Sequence, residues 1–308
     1  MSHFHERVRF GFSPSMLYPG AFDSEDALYA AYLLAQQLPE FEALESFLPH
    51  DKSKRSRILG ILRDTGKVLN YNTPGIFQVD GQYNLCSDDA KNRESAYQEL
   101  RFHLECAAEA QSPIIIVTGS PDMGEEKRPE LMKRYSDGFL RICEEARKYS
   151  IRVLLEPIER HRFKKLMFGP TSECAAFIRE MRTQGATNSG LMMDIAHLPL
   201  MEEVVDDAIR DCGEIGFEHV HLGNAVFAEG DSFYGHTHPP LNIRNGLFSQ
   251  DDLVHQFEMF EKCGFISEGK ARASISLEVK PYPGVTELTS IRAMYEQCLA
   301  AYEAAAKD

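Results

Sequence analysis

From end to end the sequence alternates short apolar, β-rich runs with amphipathic stretches of helical spacing, and it does so eight times. "VRFGFS" is followed by "SEDALYAAYLLAQQL", "FEALESF" by "KSKRSRILGILRDTG", "KVLNYN" by "DDAKNRESAYQELRFHLECAAEAQ", and "SPIIIVTGS" by "RPELMKRYSDGFLRICEEARKYS". The second half stays in phase. "IRVLLEPI" leads to "TSECAAFIREMRTQG", "SGLMMDIAH" to "MEEVVDDAIRDCG", "FEHVHLGN" to "SQDDLVHQFEMFEKCG", and "ASISLEVKP" to "VTELTSIRAMYEQCLAAYEAAAKD". Strands apolar nearly throughout belong in a parallel sheet covered by helices. Eight β–α units in 308 residues predict an α/β chain folded as a (β/α)8 TIM barrel. No Pro/Gly/Ser linker divides it, so residues 1–308 read as a single domain, with a long loop at about 224–249 after strand seven. An open doubly wound sheet is the competing arrangement. Its glycine-rich first turn is missing, since the first junction reads "GFSPSMLYPG".

Charge and cysteine usage narrow the function classes. Asp and Glu number 47 against 33 Lys and Arg, a formal charge of −14, and no long basic run interrupts that balance. Such a chain repels a phosphate backbone, so no nucleic-acid partner is expected. No stretch approaches the roughly 18 apolar residues of a membrane span. The start, "MSHFHERVRFGF", lacks the apolar core of a secretory signal. The seven cysteines form no CxxC pair, and their odd number cannot be fully paired within one chain. These features together predict a cytoplasmic protein with reduced thiols.

In a barrel, residues at strand C-terminal ends gather on one rim, where active sites lie. Strand five ends in Glu156 ("LLEPIERHR"), strand six in Asp194 ("MMDIAH"), and strand eight in Glu278 ("SLEVKP"); strand seven carries His219 and His221 ("HVHLGN"). Singly, such a carboxylate is more often a helix cap or an ion-pair partner, and such a histidine a hydrogen-bonded core residue. Jointly they would leave three negative charges together, a cost that a divalent cation relieves. Oxygen-rich ligation with one imidazole suits Mn2+, Mg2+ or Co2+ better than a structural zinc site.

With these motifs the chain resembles the xylose isomerase-like barrel superfamily, in particular its sugar epimerase and isomerase branch, typified by tagatose 3-epimerase. The resemblance implies that Glu156, Asp194, His221 and Glu278 hold the metal, with Mn2+ the first expectation. It matches an Asp-x-x-His element to Asp194 and His197, whose imidazole would face the substrate, and a His-x-His-x-Gly strand to residues 219–223. Departures fall at substrate contacts. After the first metal Glu the branch has an Asn-Arg-Phe-Glu-type segment; here stand Glu159, Arg160, His161 and Arg162, so that only the arginine is kept. Asn224 replaces a carboxylate, and Phe227 an arginine.

The resemblance implies a metal-dependent ketose isomerase or epimerase in which Glu156 and Glu278 remove and return a proton through a metal-stabilised enediolate. The same enolate chemistry would serve a lyase, either a sugar dehydratase or a 3-oxo C-glycoside deglycosidase with a small partner subunit. A sugar-binding barrel without chemistry is the third reading. Arg160, His197, His238 and Lys280 are the expected substrate contacts, Lys280 because it lies two residues beyond Glu278 on the same strand face. The loop after strand seven is either a surface excursion or oligomer contact, or a lid lending His238 or Arg244 to the site. The segment "NYNTPGIFQVDGQYN" is expected to wall the pocket with Tyr71 and Phe77. A homo-oligomer is expected, and the substrate is taken to be a small sugar.

Overall fold

Each of the eight apolar runs forms a strand in the computed structural model, which describes residues 3–79 and 83–306. The strands are Val8–Phe12 (β1), Ala43–Ser46 (β2), Val68–Asn72 (β3), Ile114–Thr118 (β4), Arg152–Glu156 (β5), Ser189–Asp194 (β6), His219–Leu222 (β7) and Ala273–Leu277 (β8). Each pairs in parallel with the next, and β8 returns to β1 in register from Val8↔Ala273 to Phe12↔Leu277. The barrel is closed, which removes the open-sheet alternative.

The main helices on the outside follow the strands in turn: Glu25–Leu34 (α1), Lys52–Thr65 (α2), Ala90–Glu109 (α3), Arg128–Arg147 (α4), Thr171–Thr183 (α5), Val205–Cys212 (α6), Gln250–Lys262 (α7) and Glu287–Ala305 (α8). Their ends follow local chemistry. The Asp51 side chain accepts from the Lys54 amide to start α2, and Gly66, at φ +65°, ends it in the left-handed conformation. Ser249 and Asp252 form a reciprocal capping box on α7. The expected sixth helix, 201–213, is shorter in the structure. Pro199–Met201 forms a 3-10 turn that Glu202 closes at φ +63°, so the α-helix begins only at Val205.

Period-two alternation divides the strands between two apolar layers. Val153, Leu155, Leu191, Met193, Val220 and Leu222 point outward into the main core beneath the helices. Ile114, Ile116, Leu154 and Met192 form a separate, small cluster, the apolar filling of the barrel itself. Glu156 and Asp194 continue that inward parity two residues beyond Leu154 and Met192. An inward side chain at the last strand position can reach only the rim. No described helix is long and apolar enough to cross a membrane. All seven cysteines are free thiols.

Candidate metal centre

Glu156, Asp194, His221 and Glu278 converge at the rim, each offering one ligand atom within 4.8 Å of the others. His221 Nδ1 stands among the carboxylates, 2.7 Å from Glu278 Oε2, 3.3 Å from Asp194 Oδ2 and 3.8 Å from Glu156 Oε1. Asp194 Oδ1 accepts from the Ala196 amide at 2.7 Å, which leaves Oδ2 for the cluster. Gly223 permits the close approach behind it: a Cβ there would meet Ala196 Cβ at 3.1 Å and the Glu278 carbonyl at 3.3 Å.

The electrostatics show what the cluster lacks. Burial pushes the Glu156 carboxyl well above its ordinary value, and Glu278 and Asp194 add to this against the pull of His221. Burial also raises Asp194. Burial works against the charge on His221, yet Glu45 and Glu278 outweigh it and hold the imidazole well above its usual value. Glu278 is likewise held well below the carboxylate range by His221 and His238, although burial opposes this. The protein thus crowds one imidazole and three carboxyl groups together at the rim. A hard divalent cation fits this donor set, with Glu156, Asp194, His221 and Glu278 as the residues able to hold it.

A further carboxylate, unnoticed in the sequence, completes the arrangement. Glu45, on β2 and fully buried, accepts from His221 Nε2 and, at 2.7 Å, from His219 Nε2. Asn72 donates to it at 2.9 Å. With Nε2 bonded to Glu45, His221 presents Nδ1 to the carboxylates, the tautomer in which second-sphere carboxylates commonly hold metal-binding histidines. Burial opposes the charge on Glu45, but His221 and His219 prevail and bring its pKa down to about 2. His219 is therefore tied to Glu45 and, through Nδ1, to Ser274 at 2.9 Å, below the rim.

Three more imidazoles meet beside this centre. His197 Nε2 lies 3.4 Å from His238 Nε2, which lies 3.3 Å from His236 Nε2. In each ring Nδ1 faces an acceptor: the Pro157 carbonyl at 3.1 Å, the Glu278 carbonyl at 3.2 Å, and the Glu159 carboxylate at 3.0 Å, respectively. A carbonyl can only accept, so the protons of His197 and His238 sit on Nδ1 and their Nε2 lone pairs face inward. Burial keeps both rings below their usual pKa, His197 well below it. The triplet can hold a second cation, or receive hydroxyl protons from a ligand.

A cavity of about 470 Å3 opens over these groups and is lined by Glu156, His197, His236, His238, Glu278 and Lys280 among others. The loop after β7 reaches it with residues 236–238, so His238 lies where it was expected. Arg244 does not; it stays exposed on the outside of the loop. Arg160 is also drawn away. Its guanidinium donates to the Met167 carbonyl and to Glu173, on α5, and lines no part of the cavity. Tyr71 and Phe77 do not wall the pocket either. Tyr71 occupies an outward strand position, where its hydroxyl bonds His103 at 2.7 Å, and Phe77 packs edge-on to the same ring. Asn72, Thr73, Pro74, Gly75 and Gln78 form that wall instead, while residues 80–82 of the segment lie outside the described residues.

The family model described as xylose isomerase-like TIM barrel matches residues 34–287. No curated protein sequence matches the chain. Among solved structures, a D-tagatose 3-epimerase-like protein superimposes with a TM-score of 0.70 at 15% identity, over 96% of this chain and 98% of that one. For an L-ribulose 3-epimerase the TM-score is 0.72 at 14% identity, over 97% and 96%. For the 3-keto-D-glucoside 4-epimerase of E. coli it is 0.66 at 14%, over 94% and 100%. At such identities the shared property is the fold.

Proposed function

The chain belongs to the xylose isomerase-like TIM-barrel family, and on that premise we propose that it is a divalent-metal-dependent sugar isomerase or epimerase. The observation that carries this reading is the convergence of Glu156, Asp194, His221 and Glu278 beneath a sugar-sized cavity. A divalent cation held there, Mn2+ by preference, would supply Lewis-acid polarisation of a substrate carbonyl and the hydroxyl beside it. Glu156 and Glu278 come from the end of β5 and from just past β8, with β6 and β7 between them, and reach the cavity from two sides. They act as the acid–base pair that takes a carbon-bound proton and returns it. His197, its Nδ1 committed to the Pro157 carbonyl, offers Nε2 to a substrate hydroxyl and orients it.

The test is to incubate Mn2+-loaded protein with ketohexoses in D2O and follow the products by NMR. Deuterium is expected at the carbon beside the carbonyl, with the sugar formula otherwise unchanged. Glu156→Gln and Glu278→Gln should each reduce turnover by about 10²–10⁴-fold. Near-normal turnover in either variant would remove that residue from the acid–base pair. A lyase is the second reading, favoured by His236 and His238 in the cavity, where an imidazole that has taken up a proton can hand it to a departing oxygen. It predicts loss of a leaving group, which the same spectra would reveal.

A further inference from the structure

Two lysine ammonium groups are drawn out of bulk water, those of Lys67, which is buried, and of Lys280, which is partly buried. For Lys67 the lost water is replaced, since Nζ donates to the Leu38 carbonyl at 2.7 Å and to that of Phe41. Lys280 has no such compensation. It is half-buried and lines the cavity, yet among the described residues its ammonium makes no ion pair and no hydrogen bond. Its place is fixed, because its amide donates to the His238 carbonyl at 2.8 Å. In a chain with 47 acidic residues, an uncommitted ammonium in a cavity leaves a charge to be met from outside.

The surroundings indicate what would meet it. Ser13, Ser15 and Ser46 line the same cavity with a chain of hydroxyls 3.1–3.2 Å apart, and Lys164 adds a second, exposed ammonium. A carboxylate on the ligand would supply the partner that the Lys280 ammonium lacks. Building on the metal-dependent reading above, we propose that the substrate is an acidic sugar whose carboxylate is received by Lys280, while its other end meets the Glu156–Asp194–His221–Glu278 cluster. One half-buried ammonium in a cavity that also carries hydroxyls matches a carboxylate; a phosphate dianion calls for a denser cradle of donors.

The test is calorimetric titration of the full chain, with and without Mn2+, using D-gluconate, glucitol and glucitol 6-phosphate as probes. Gluconate should bind at least about tenfold more tightly than glucitol. The ratio should fall to within about twofold in Lys280→Met and be largely retained in Lys280→Arg. Equal affinities in the wild type, a preference that survives Lys280→Met, or tighter binding of the phosphate would each overturn the proposal. Failure to bind Mn2+ is read in a separate titration and would sink the metal assignment, while the acid preference would still be measurable without the ion.

Discussion

Glu45 shows how a single side chain can govern a centre whose ion it does not contact. It bonds the far nitrogen of His221 and so fixes which ring nitrogen faces the carboxylates. Glu45→Gln keeps the shape but replaces the charged acceptor. It should weaken Mn2+ binding by about 10–100-fold, measured by competition with a chelating dye, while the circular dichroism spectrum stays unchanged. Unaltered affinity would reduce Glu45 to a packing role. The same residue has a pH signature in the metal-free protein. Its folded-state pKa of about 2 lies below the ordinary 4.5, so its contribution to stability is complete above 4.5 and is lost as pH falls towards 2. Urea unfolding at pH 5 and pH 3 should show a smaller acid loss in Glu45→Gln than in the wild type. Equal losses would contradict the depressed pKa. Nothing in "FEALESF" distinguishes Glu45 from an exposed acid in an alternating strand. Only barrel closure turns that parity inward, across from His219 and His221.

At the scale of elements, the loop between β7 and α7 contributes His236 and His238, and its base is clasped by Asn224. The Asn224 Oδ1 accepts from the Ala225 amide at 2.9 Å and the Phe248 amide at 3.1 Å, while Nδ2 donates to the Phe248 carbonyl at 3.2 Å. Gly246 leaves room for this: a Cβ there would fall 2.5 Å from Nδ2. The clasp needs a donor and an acceptor on one side chain, which an amide supplies and a carboxylate does not. That accounts physically for the asparagine at the position where the sugar epimerases were expected to have an acid. Asn224→Asp should cost about 1–3 kcal/mol of stability, read by urea denaturation, and should speed hydrogen exchange in residues 225–248. Unchanged exchange would mean that the loop is held elsewhere. The loop's length was plain in the sequence. Which residues it would deliver was not, since nothing in the linear sequence sets His236 and His238 apart from Arg244 and only the path fixed by the Val226–Tyr234 and Val226–Gly246 bridges separates them.

For the molecule as a whole, the architecture was legible because barrel strands repeat one pattern, apolar outward and a polar ending at the rim. Glu156, Asp194 and Glu278 could be read from that ending alone. Arg160 could not be placed, because its segment turns back over α5 and pairs with Glu173, a contact that linear spacing does not encode. The same architecture brings three carboxylates from separate strands to one end of the barrel, so the fold and the centre share their energetics. An ion that binds the assembled rim and not the unfolded chain must stabilise the entire barrel by mass action, about 4 kcal/mol at a free concentration 1,000 times its dissociation constant. Thermal unfolding of chelator-treated protein should therefore shift upward on titration with Mn2+, and the shift should grow with the logarithm of ion concentration above saturation. Asp194→Asn removes one ligand charge while leaving Oδ1 free to accept from Ala196. It should abolish most of that shift and leave the unfolding temperature of the metal-free protein nearly unchanged or raised, because one of the mutually repelling carboxylates is gone. A Mn2+ shift of equal size in Asp194→Asn would place the ion elsewhere, whatever the turnover of either protein.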